Sequence, residues 1–221
     1  MIPDFFSKPN HFMEQYSKIK THQSFHMKKI IITGLLLASL AAMNSSFRYV
    51  PKTSESNKDS IESVKAFMQV YDVLMSPRCM NCHPSGDIPL QGDESQLHAM
   101  SPKRGEDGKG VYAMKCTNCH QPANASCMHT PPGNPKWHLP PANMKMVFQG
   151  KTPNQLAKQL IDPKQNGNKN REDLIKHADD DLVLGGWNPG EGRKLPPLSH
   201  ADFKKAWITW ITKGAYAPAD K

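Results

Sequence analysis

Cys79-Met80-Asn81-Cys82-His83 and Cys116-Thr117-Asn118-Cys119-His120 repeat one pattern, Cys-x-x-Cys-His, twice in the middle of the chain. Two cysteines about one helical turn apart can each form a thioether to a vinyl group of the same porphyrin, and the next residue, histidine, is then carried beneath the iron as its proximal ligand. The sequence therefore predicts two covalently held haems, with Cys79, Cys82, Cys116 and Cys119 as attachment points and His83 and His120 as proximal ligands.

Paired Cys-x-x-Cys sequences also build structural zinc sites, in which four thiolates surround one ion. That alternative gives the two histidines no role. With ten histidines in 221 residues, finding one directly after both pairs by chance has odds of about one in five hundred. Zinc ribbons separate their knuckles by about 15 to 20 residues, whereas 33 residues lie between Cys82 and Cys116. A thioredoxin-like dithiol fits worse still, because no alternating strand and helix pattern surrounds either pair.

Haem is joined to c-type apoproteins outside the bacterial cytoplasm, so this reading requires export. Met27-Lys28-Lys29 is a short basic start, Ile30 to Met43 is apolar, and Ser39, Ala41 and Ala42 suit a signal peptidase. The run is short for a bilayer span, which predicts a cleaved signal peptide over 27–42 and a periplasmic protein; an uncleaved anchor is the competing reading. Residues 1–26 are polar and aperiodic, as expected of an upstream extension from a misplaced start. The rival view makes them a cytoplasmic tail. No lipobox cysteine accompanies the apolar run. A flexible linker is expected over 43–59 and a single dihaem domain over 60–221, since the 37 residues between the starts of the two motifs cannot hold a separate single-haem fold.

The formal charge is +8, and loss of the leader, with five lysines against Asp4 and Glu14, leaves about +5. Two haems bring about four propionates, so the basic balance is no argument for nucleic acid. Expected partners are an electron donor and an electron acceptor, which surface lysines would steer, with peripheral membrane association as a further option. Five cysteines leave one outside the motifs, Cys127, without an intramolecular partner. A buried or inert thiol is expected there, with intermolecular pairing or a ligand role as alternatives.

Apolar spacings of three and four predict an amphipathic helix over Ser60 to Ser76, with Ile61, Val64, Phe67, Met68, Tyr71 and Leu74 on its stripe. Thr152-Pro153-Asn154-Gln155 reads as a capped helix start followed by Leu156, Leu160 and Ile161. A third helix is expected at Arg171 to Asp179. Ser199-His200-Ala201-Asp202 opens the last, with Phe203, Ala206, Trp207, Trp210 and Ile211 as core residues and Gly214 as its stop. Seventeen of the 19 prolines follow residue 50 and no run reads as a strand. The fold class is thus mainly α, c-type cytochrome-like, with short helices and long proline-rich loops packed around two covalent haems.

The sixth iron ligand separates electron carriers from open, reactive sites. His98, fifteen residues after His83, is the first choice for the first haem. His138 and Met146 compete for the second, Met146 because Met144 to Gly150 is similar to the methionine loop of small single-haem cytochromes. His129 and His177 are held in reserve, Met100 and Met114 are weaker, and His200 belongs to a helix cap. Gly185 to Arg193 reads as a glycine-rich turn, since no strand precedes it and no Lys-Ser or Lys-Thr closes it. Arg193 is expected to be exposed, with a contact to a haem propionate as the alternative.

Arg78 to His83 with Gln91-Gly92-Asp93, Arg104 to His120, Pro131 to Pro141 and Gly186 to Arg193 together resemble a family of bacterial exported dihaem proteins often labelled isoquinoline 1-oxidoreductase subunit. The resemblance runs from about Phe67 to Tyr216. It implies a cytochrome associated with molybdenum hydroxylases that takes their electrons, since no cysteine is left for an iron–sulfur cluster. The expected function is that of an electron carrier; a small haem enzyme or ligand-binding protein with one open iron is the alternative.

Overall fold

Helix formation in this chain is set by caps and by one long apolar face. A computed structural model describes residues 52–128 and 130–220, so the export segment 27–42, the stretch 1–26, the linker's first part and His129 lie outside the described residues. Lys52–Leu74 forms α1, which begins earlier than the spacing predicts and takes residues 52–59 of the expected linker into its first turns. Its buried face consists of Ser63, Ala66, Phe67, Val70, Val73 and Leu74. Ile61 and Met68, expected on the stripe, are 70% and 37% exposed. The apolar positions cover more of the helix than one partner can bury. A polar contact selects the face: Ser63 Oγ donates to the Trp210 carbonyl at 2.9 Å and accepts from the Tyr216 amide at 3.1 Å.

A short helix α2, Pro77–Met80, follows and carries the start of the first motif. The long middle segment holds two antiparallel hairpins, β1 (Leu90–Gln91) with β2 (Gln96–Leu97) and β3 (Gly110–Val111) with β4 (Met114–Lys115). Strands of two residues show no alternation, which is why the sequence predicted none.

Helix α3, Pro153–Ile161, opens on a full capping box between Thr152 and Gln155. Helix α4, Arg171–His177, opens on another between Asn170 and Asp173 and stops two residues before its expected end. Just ahead of the expected glycine-rich turn, α5 (Asp181–Leu184) runs into a 3-10 turn at Gly185–Trp187, which takes up only the first three residues of that stretch. The last helix, α6 (His200–Thr212), is capped by the Ser199 hydroxyl accepting from the Asp202 amide.

The chief helix pair is α1 against α6, with α3 on α1 and α4 on α6. Phe67, Val70, Leu156, Leu174, Trp207 and Trp210 lie in one apolar core between them. Both tryptophans are buried, and their indole N–H groups donate to the carbonyls of Leu174 and Tyr216. Among the described residues, this core has no buried member between Leu74 and Phe148. No helix of the described residues is long and apolar enough to cross a membrane.

Candidate haem sites

Proline at the first turn of α2 starts a helix too short to continue, and the chain turns at once to present Cys79, Cys82 and His83. The Cys82 amide donates to the Cys79 carbonyl and the His83 amide to that of Met80. Arg78 fastens this turn to the β1–β2 hairpin, pairing with Asp93 at 2.7 Å and donating to the Gly92 carbonyl. Asn81 donates to Gly92 as well, and the Leu90 amide donates to Asn81. His83 Nδ1 donates to the Met146 carbonyl at 2.7 Å. Its ring stacks on Phe148 at 3.8 Å between centroids and 9° between planes.

The second motif follows β4 as a 3-10 turn, Cys116–Asn118, with the amides of Cys119 and His120 donating to the Cys116 carbonyl. Its histidine has the same two restraints. His120 Nδ1 donates to the Pro132 carbonyl at 2.8 Å, and the ring stacks on Trp137 at 4.0 Å and 11°. A ring whose Nδ1–H is committed to a carbonyl keeps its lone pair on Nε2, the tautomer and orientation that a metal-ligating histidine needs.

Electrostatics favour the same state. Burial pushes the His83 imidazole down to about 4, against the opposing pull of the Met146 hydrogen bond and with help from the charges of His177 and Arg104. His120 is lowered by burial too, with His98 and Arg193 adding to the shift. Both rings are neutral donors at neutral pH. Burial raises Cys79 to about 12 and Cys82 to about 11, and raises Cys116. Burial thus favours the protonated thiol at these three positions.

The other sequence-selected residues are dispersed. His98 lies against the second motif, its ring 6.1 Å from that of His120. His138 turns its Nδ1 to the Lys136 carbonyl. Met146, offered for the second haem, sits beneath the first motif, where its carbonyl holds His83 and its sulfur accepts from Gln159 Nε2 at 3.2 Å. Met100 is 78% exposed. His177 binds Asp180 through Nδ1, and His200 bonds the Ala178 carbonyl through Nε2. Cys127 is exposed rather than buried. Arg193, expected to be exposed, is half-buried and donates to the carbonyls of Pro189 and Thr130.

Sequence reasoning gave no part in holding the motif histidines to the carbonyls of Met146 and Pro132 or to the rings of Phe148 and Trp137. It also passed over Arg104, which is 1% exposed. Arg104 donates to the carbonyls of Pro140 and Gly86, has Asp87 no closer than 3.8 Å, and leaves its Nε without a partner. Among the described residues no three His, Cys, Asp or Glu side chains gather in a group that could hold a metal ion. No protein-family model, no curated protein and no solved structure matches the chain.

Proposed function

We propose that this chain is an exported, periplasmic dihaem c-type cytochrome that carries electrons from a dehydrogenase to a downstream acceptor. The observation that carries the reading is the identical treatment of the two motif histidines, each with Nδ1 on a backbone carbonyl and an aromatic ring stacked on its face. Nothing in the Cys-x-x-Cys-His pattern requires that repetition unless both Nε2 atoms serve the same purpose.

The remaining residues fit the group. Cys79 with Cys82, and Cys116 with Cys119, would each add S–H across the two vinyl bonds of one porphyrin, giving thioethers without an added oxidant. Arg104, a buried cation whose Nε has no hydrogen-bond partner and faces the Asp87 carboxylate at 3.8 Å, lies close to Cys82 and His83 and suits a propionate. Haem supplies reversible one-electron exchange at iron. The chain's contribution is to attach the group and fix the proximal imidazoles in the neutral form. The resemblance of Arg78 to His83, Arg104 to His120 and the two later blocks to the exported dihaem family favours a molybdenum hydroxylase as the donor.

The test is the full chain expressed with a c-type maturation system and assayed by pyridine haemochrome, by ferric and reduced spectra, and by carbon monoxide addition. Two c-type haems per chain, sharp reduced bands and no response to carbon monoxide are expected. His83→Ala and His120→Ala should each remove one low-spin haem. A protein without haem overturns the reading, and carbon monoxide binding in the unaltered protein moves it to a small haem enzyme or ligand-binding protein with one open iron.

A further inference from the structure

His98 and His120 come from separate loops, one leaving the β1–β2 hairpin and the other closing the second motif, and their rings stand 6.1 Å apart at 62° between planes. Neither ring bonds the other. His98 commits its Nδ1 to the Ala99 carbonyl at 2.6 Å, as His120 commits its own to Pro132. Both therefore keep the lone pair on Nε2. Two imidazoles bonded to one metal ion from opposite sides, at about 2 Å per metal–nitrogen bond, have ring centres about 6 Å apart.

We infer that His98 is the sixth ligand of the second haem's iron, opposite His120. This rests on the dihaem reading above and deepens it, because a protein ligand on both faces makes the second site an electron-transfer centre rather than a substrate site. The hairpin explains how His98 arrives there. Arg78 and Asn81 hold Gly92 and Asp93 beside the first motif, the Leu90 amide is bonded to Asn81, and the His98 amide returns to the Pro89 carbonyl. A segment that starts at the first attachment site thus ends at the second. It gives the two attachment sites a shared structural strap. Of the rival sixth ligands, Met146 has its sulfur engaged by Gln159 beneath the first motif; His138 holds its Nδ1 on the Lys136 carbonyl much as His98 does on that of Ala99, but it is the His98 ring that stands 6.1 Å from His120.

The experiment uses the mature dihaem protein and its His98→Ala variant, with haem counted by pyridine haemochrome and spin state read by electron paramagnetic resonance. The haem count of the unaltered protein tests the dihaem reading separately. In His98→Ala, one of the two haems should become high-spin and bind carbon monoxide, and added imidazole should restore the low-spin signal. Combining it with His120→Ala should still leave one low-spin haem, whereas combining it with His83→Ala should leave none. Two low-spin haems in His98→Ala overturn the inference, as does a double variant with His120→Ala that loses both. Should His98→Ala lose haem altogether, His98→Met keeps a ligating atom; it should stay low-spin and raise the potential of one haem, and two unchanged potentials overturn the inference.

Discussion

Arg104 places a full positive charge where the surrounding chain offers two neutral carbonyls and one carboxylate, that of Asp87, at 3.8 Å without a hydrogen bond. A cation taken out of water is costly unless an anion or good hydrogen bonds offset the lost hydration. Its neighbourhood is the first motif, since its charge acts on both His83 and Cys82. Arg104→Gln should therefore do two things. It removes charged donors from the carbonyls of Gly86 and Pro140, which costs about 1 to 3 kcal/mol in denaturant unfolding. It also withdraws a positive charge that favours the electron-bearing state of a nearby centre, so the potential of one haem should fall in a redox titration while the other stays. An unaltered pair of potentials would place the guanidinium's charge away from the first haem. Nothing in Lys103-Arg104-Gly105 distinguishes this arginine from a solvated one, because its burial is decided by chain segments as far off in sequence as Pro140.

At the level of elements, the joint between α1 and α6 depends on a residue too small and polar to count in any apolar pattern. Ser63 is 0% exposed and serves both the Trp210 carbonyl and the Tyr216 amide. Ser63→Ala takes that partner from the Tyr216 amide and from the buried Trp210 carbonyl, which keeps only the Ala215 amide, and the urea midpoint should drop by an amount worth about 1 to 3 kcal/mol, with no change in haem content. A midpoint equal to the unaltered protein's would mean that apolar packing alone sets the joint. The same residue explains where the sequence reading ran out. Caps are local chemistry, so Thr152, Ser199 and the Trp207 and Trp210 stripe were legible. The rotation of α1 is a tertiary choice, and Ile61 and Met68 fell on the wrong side of it. The site divides in the same way. Contiguous motifs declared Cys79, Cys82, His83, Cys116, Cys119 and His120, while the carbonyls of Met146 and Pro132 and the rings of Phe148 and Trp137 come from loops whose approach no local spacing records. His98 was visible as a histidine in a polar loop, but its destination depends on a two-residue hairpin that periodicity cannot detect.

Across the whole described chain, the apolar core lies on the helices and a few residues beside them, Phe148, Ala178 and Ala215, and the segment from His83 to Val147 has almost none of its own. Leu90 and Leu139 are its buried large aliphatic residues. What holds the segment is polar: Asn134 donates to the Asp181 carbonyl, Asn124 to that of Asn188 and Arg193 to that of Thr130. Backbone closeness adds to this, since Gly108 approaches Leu139 so tightly, at φ +77°, that a Cβ would collide with its carbonyl. Hydrogen bonds contribute only about 1 kcal/mol each after exchange with water, and fixing a residue's backbone costs about 1 to 2 kcal/mol. A loop region of this length therefore needs another source of apolar contact, and two covalent porphyrins lying among its aromatic rings would provide it. The consequence is a division of stability. Protein made without haem maturation should keep helical circular dichroism from α1, α3 and α6, whose core is complete without the loops, yet be cut by protease within residues 84–147. The matured protein should resist the same digestion. Equal protection of 84–147 with and without haem would mean that the loops hold themselves, and that the porphyrins are cargo on a preformed frame rather than part of its core.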